Sequence, residues 1–182
     1  MLSRLVTLGG EFWRKGRDGA AAVEFALILP FMLLLYFGGV ELTQGVTINR
    51  QVALTATTVA TIVSQYTTIS ASTQLPDILN ASVQILQPYA SSNATIVISL
   101  ITINSSGQAT VTWSQALNGT ARTANSPFTV PTNLDIPNTT LLFSETKYGY
   151  TPAFDFLHLG PFSLYASIYM VPRNSSTISL TT

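Results

Sequence analysis

The sequence predicts an α+β protein in which one long N-terminal helix, half transmembrane and half soluble, packs on an antiparallel sheet of about four strands, with a short second helix. Three observations predict it. Ala20 to Val40 is an apolar run broken by a single charge, Glu24. From Val52 onward apolar residues recur at alternating spacings of four and three, which is one stripe of an α-helix. Beyond Pro88 the period falls to two, the pattern of half-buried strands.

The apolar run comes first. At about 1.5 Å per residue it spans roughly 31 Å, which matches a hydrocarbon core of about 30 Å. The leader before it carries Arg4, Arg14, Lys15 and Arg17 against Glu11 and Asp18, a net positive charge. The positive-inside rule then puts the leader in the cytoplasm and the large C-terminal part outside. This gives a leader at 1–19, a transmembrane helix at 20–41 and an extracytoplasmic α+β domain at 42–182. Leu5, Leu8, Phe12 and Trp13 suit either a short amphipathic helix on the inner membrane surface or a floppy tail. A secretory signal peptide fits poorly, because the run is too long and Glu41 to Gln44 offers no small-residue cleavage site. Pro30 removes one main-chain donor from the helix and predicts a kink or local unwinding over Ala26 to Pro30. Gly38 and Gly39 leave room for another helix. An acid in lipid is expensive, so Glu24 is a functional candidate by default.

The soluble half of the helix carries Val52, Ala56, Val59, Val63 and Tyr66 on one face. A second helix opens near Thr73 and Pro76, repeats Leu75, Ile78, Leu79, Val83, Leu86 and Tyr89 at helical spacing, and ends at Pro88. Thr95 to Asn104 and the alternating run Ala109, Val111, Trp113, Leu117 form a β-hairpin with one buried face, joined at Ser105, Ser106 and Gly107. Asn118 to Asn138, with Gly119 and three prolines, reads as a long loop. Two more strands follow at Thr140 to Tyr150 and Phe162 to Val171, the second with Phe162, Leu164, Ala166, Ile168 and Met170 on one face.

Composition narrows the chemistry. There are no cysteines, 9% charged residues and a formal net charge of zero, so thiolate metal sites, disulfides and a basic nucleic-acid surface have no material. The Asn-x-Ser/Thr matches at Asn80, Asn93, Asn104, Asn118, Asn138 and Asn174 follow from the Ser/Thr/Asn bias. His158 stands alone in an apolar loop, and no Gly-x-Ser-x-Gly elbow is present. Asp135, Glu145 and Asp155 are scattered carboxylates, with Arg122 or Lys147 as partners for pairing. No catalytic residue, metal site or cofactor is expected. Phe154, Phe156, Leu157, Leu159 and Phe162 form an aromatic loop that is either a lid over the sheet core or an exposed patch for a partner.

The junction between leader and helix is the most specific feature. A basic segment ending in Gly19, then small residues, Glu24 at the fifth position after the glycine and Phe25 beside it, resembles a type IV prepilin cleavage site. The run GAAAVEFALILP is similar to the opening of TadE-like proteins, minor pilins or pseudopilins of bacterial Tad (tight adherence) pilus systems. Fainter similarities lie at Val111 to Ser114, at Glu145 to Tyr150 before Pro152, and at Tyr169 to Arg173, while the linker between them is uncharged apart from Arg122. The resemblance implies a pilin-like fold and cleavage by a prepilin peptidase between Gly19 and Ala20. It implies assembly through Glu24 and Phe25, with other pilins, an inner-membrane assembly platform and membrane lipid as partners. The chain would sit in the bacterial inner membrane, N-terminus cytoplasmic and C-terminal domain periplasmic, or in the extracellular pilus after assembly. The alternative is an uncleaved, single-pass anchored periplasmic scaffold or binding protein.

Overall fold

The structure, a computed structural model, describes the main chain of residues 3–153 and 160–182 and the side chains from Gly19 onward. Helix α1 runs over Ser3–Val63. The chain divides into two compact units, Met1–Thr43 and Gln44–Thr182.

In the first unit the main chain is helical from Ser3, so of the two alternatives for the leader the floppy tail does not hold. The helix also continues through Pro30, against the expected local unwinding. Proline removes one main-chain donor, and unwinding its neighbours would break further hydrogen bonds of the helix in addition to that one. Further on, the Thr43 hydroxyl donates to the Gly39 carbonyl at 2.8 Å.

In the second unit the expected stripe is buried: Val52, Val59 and Val63 are fully covered and Ala56 nearly so, with Ile48 added at the start. A turn leads to β1 (Thr68–Ser70) and then to α2 (Gln74–Ser82). Pro76 lies in the first turn of α2, where its missing donor is least needed. The helix tightens into a 3-10 turn over Val83–Leu86, so Val83 and Leu86 keep their buried places on a shorter spiral. Strands β2 (Ala94–Ile103), β3 (Ala109–Leu117), β4 (Thr139–Tyr150) and β5 (Phe162–Met170) form one antiparallel sheet in the order β3-β2-β4-β5. The β2–β3 turn is built by Asn104, whose side-chain oxygen accepts from the main-chain N–H of Ser106 and Gln108, with Gly107 at φ 78°. β6 (Ser179–Thr181) pairs in parallel with β1, a two-stranded sheet too short for any sequence pattern to announce.

The sheet is buried on both faces, which corrects the hairpin with one buried face. Leu100 pairs with Trp113 but the next residue, Ile101, pairs with Val111, so Thr112 is an extra residue in β3. Such a bulge reverses the facing of everything beyond it. Trp113 therefore packs with Ile96, Ile98, Leu100 and Leu142 against Ile48, Val52, Val59 and Val63 of α1. Val111 packs on the opposite face with Ile101, Ile103, Leu141 and Phe143. That second face is covered by the 118–138 segment through Phe128, Val130 and Leu134. The segment is a loop, as the sequence predicts, and it is docked on the sheet as a cover. Gly119 is tied by close approach, since a Cβ there would lie 2.4 Å from the Thr95 methyl. The C-terminal tail is fixed likewise: the buried Trp113 indole N–H donates to the Ile178 carbonyl at 2.8 Å, and the Arg173 N–H to the Ser64 carbonyl at 2.8 Å.

Candidate functional site

The candidate residues fall in two places, one in each unit. In the first, α1 from Gly19 to Tyr36 has every side chain exposed. Val23, Phe25, Leu29, Leu33 and Leu35 are between 37% and 78% exposed, and at about 100° per residue they lie all round the helix. A helix apolar on every side is a core or membrane helix, and among the described residues the side chains of this one are exposed. Its most apolar window has a mean hydropathy of 2.2 with none of it buried, so it is long and apolar enough to cross a membrane. The pattern changes character at Ile48, the first fully buried side chain, beyond which only one stripe is apolar and covered.

Within this helix Gly19, Ala20, Glu24 and Phe25 lie within about two turns, all exposed. Ala20 and Glu24 are four residues apart, about 6 Å along the axis and on the same face. A Cβ added at Gly19 would meet nothing within 4 Å, and the same holds at Gly38 and Gly39. Glycine lowers helix stability by about 0.8–1 kcal/mol relative to alanine, and among the described residues no packing contact requires it at this position.

The second place is the face of the sheet turned away from α1. Arg122, from the covering segment, reaches across to Glu145 of β4, and its other nitrogen donates to the Ser99 hydroxyl at 3.2 Å. Its guanidinium lies over Phe128 and Phe143 at 5.4 and 5.1 Å from the ring centroids. Glu145 also accepts from the Tyr165 hydroxyl at 3.0 Å, and the Lys147 ammonium stands 5.8 Å over the Tyr165 ring. Burial is the main cause that raises the Tyr165 phenol above its ordinary value of 10.0, and Tyr169 is raised by burial as well. A cleft of about 160 Å³ beside this cluster is lined by Thr95, Val97, Thr120, Glu145 and Lys147. The pair is the one the sequence offered for Arg122 and Glu145. Here it pins the cover segment to the sheet. Asp135 lines a different cleft with Gly107 to Thr110 and Pro127 to Val130, so it does not converge with Glu145.

Phe162 is the first residue of β5 and 44% exposed, opposite Tyr150. Phe154 and Phe156 lie outside the described residues, as do Asp155 and His158. Residues 19–61 match the family model described as TadE-like protein. That segment is TadE-like. The match opens on Gly19 and ends two residues before α1 does, so the TadE-like segment is the bare helix and its buried continuation together. It does not extend to the fainter similarities in β3, in β4 and across the end of β5. No curated protein and no solved structure matches the chain.

Proposed function

We propose that the chain is a minor pilin or pseudopilin of a Tad-type pilus, cut by a prepilin peptidase between Gly19 and Ala20 and contributing to pilus assembly, adhesion or biofilm formation. The observation that carries this reading is the helix from Gly19 to Tyr36. It is TadE-like, apolar on every side, exposed among the described residues, and carries one acid five residues beyond a glycine with open space around it. Cleavage would turn the Ala20 amide into an ammonium, a cation for Glu24 on its own helix or on a neighbouring subunit. The domain from Gln44 onward would then lie in the periplasm or on the filament, as a structural subunit and not an enzyme. Its partners would be the peptidase, other pilins, the assembly platform and lipid.

The helix that continues unbroken across Gly19–Ala20 is the observation favouring the alternative, an uncleaved anchored scaffold. The mass of the mature chain separates the two. Loss of residues 1–19 is expected, and Gly19→Phe should leave the full-length form. Glu24→Leu and Glu24→Gln should still insert and be cut, yet fail to co-purify with other pilus components. A full-length mature chain, or normal assembly of Glu24→Leu, would overturn the reading.

A further inference from the structure

The two edges of the four-stranded sheet are treated differently. The edge at β3 is occupied by the chain itself: Val111 N–H donates to the Ser126 carbonyl at 3.0 Å, Asn125 N–H to the Val111 carbonyl at 2.7 Å, and Phe128 N–H to the Ala109 carbonyl at 2.9 Å. The edge at β5 has, among the described residues, no main-chain partner beyond β4. Exposed edge strands are ordinarily blunted by charge, proline, a bulge or short length, because a row of free N–H and C=O groups is a template for another strand. β5 has none of these. Its nine residues, FSLYASIYM, are uncharged and proline-free, and they pair with β4 in one unbroken register from Tyr150↔Phe162 to Leu142↔Met170.

We propose that β5 is an interface for a second copy of this chain, which adds its own β5 antiparallel about a two-fold axis at Ala166. The strand's sequence argues for that occupant. Centred on Ala166, the pairing sets Phe162 against Met170 and Leu164 against Ile168 on the α1 face. On the other face it sets Ser163 against Tyr169 and Tyr165 against Ser167, so each large ring meets a small hydroxyl residue. No like charges oppose one another. A one-residue shift would set apolar residues against polar ones, and a two-residue shift loses pairs at both ends. The contact is isologous and closed, one continuous eight-stranded sheet from two copies of the four-stranded one. The proposal stands apart from the pilus reading, because it uses no residue of the TadE-like segment.

The test uses the full chain in detergent, which has no cysteine of its own to confuse cross-linking. Directly opposed residues in an antiparallel pair lie about 4.5–5.5 Å apart at Cα, inside the range a disulfide bridges. Ala166→Cys, and separately a mixture of Tyr165→Cys and Ser167→Cys chains, cover both the hydrogen-bonded and the non-hydrogen-bonded pair geometries. At least one should shift to twice the monomer mass on mild oxidation, while Gln108→Cys in the β2–β3 turn stays monomeric. Ala166→Lys and Ala166→Glu should each run as monomers and regain the dimer when mixed, a rescue that misfolding would not give. The proposal is overturned if neither cysteine arrangement cross-links above Gln108→Cys, if a dimer survives Ala166→Lys, or if the mixed lysine and glutamate chains stay apart.

Discussion

Replacing Arg122 by alanine tests whether the 118–138 segment is a structural cover. The substitution leaves Glu145, whose side chain is 13% exposed, with only the Tyr165 hydroxyl among the partners described for it, and strips the cation from above Phe128 and Phe143. Breaking a fully buried pair from one side costs about 3–5 kcal/mol, whereas an exposed pair is worth under about 1 kcal/mol. With Arg122 at 27% exposure the pair lies between these limits, and about 2 kcal/mol is the expected loss. The lost cation–π contacts add about 0.5–1 kcal/mol. At about 2–4 °C per kcal/mol for a domain of this size, the midpoint should fall by about 5–10 °C. The assay is thermal unfolding of the chain in detergent, followed by near-ultraviolet circular dichroism of the buried Trp113. Arg122→Met with Glu145→Leu should recover most of the loss, because no carboxylate is then left without its cation. A midpoint for Arg122→Ala within about 1 °C of the parent would refute the reasoning, as would a double variant no better than the single one.

Two further outcomes follow from the same sheet. The hydroxyl of Thr146 is fully buried beneath α1 without a hydrogen-bond partner among the described residues. Thr146→Val keeps the shape and removes the desolvated group, so stability should rise by about 1 kcal/mol in the same melt; a fall would mean that the hydroxyl is paired. The folded state raises the Tyr165 phenol above 10.0, mainly through burial, so it holds its proton after the unfolded chain has lost it. That contribution is fully present below pH 10 and is lost as the pH rises through the folded value. Tyr165→Phe should therefore flatten the decline of stability in alkaline melts, and an unchanged decline would exclude Tyr165 as its source.

Sequence pattern gave away what local geometry decides. Val52, Ala56, Val59 and Val63 could be read as one buried stripe because the helical period depends on nothing outside the helix. The four long strands were legible for the same reason, and the four-stranded sheet follows from them. The bulge at Thr112 was not, since it exists only in the pairing of β3 with β2, and the simple alternation of Val111 with Trp113 hides it. Likewise β1 and β6 are three residues each and find one another across most of the domain. The prolines of the 118–138 segment reported irregular backbone correctly but could not say that Phe128 and Val130 turn inward. Gly19 and Glu24 stood out because their chemistry contradicts their surroundings. The free edge of β5 is a property of strand order, which no reading of FSLYASIYM alone supplies.

The energetics of the bare helix bear on why Glu24 is there at all. Each Leu, Ile, Phe or Val from Val23 to Val40 contributes about −0.3 to −0.6 kcal/mol at the centre of a membrane helix, together about −3 to −7 kcal/mol, and an ionised group at the centre costs about 3 kcal/mol. Glu24 sits near one end of the run, where that cost is smaller, so a membrane anchor would remain favourable with it and would be better with leucine. Anchoring therefore does not explain the acid. In the uncut chain Ala20 contributes only a neutral amide one turn away, whereas the proposed cleavage would place an ammonium there. Helical side chains lean toward the N-terminus, so Glu24 would already point at its own Ala20. On the proposed reading the carboxylate is neutralised within one subunit while that subunit waits in lipid. On the same reading a neighbouring subunit's ammonium would serve the carboxylate as well as its own, which is why Glu24→Leu is the variant that separates assembly from anchoring.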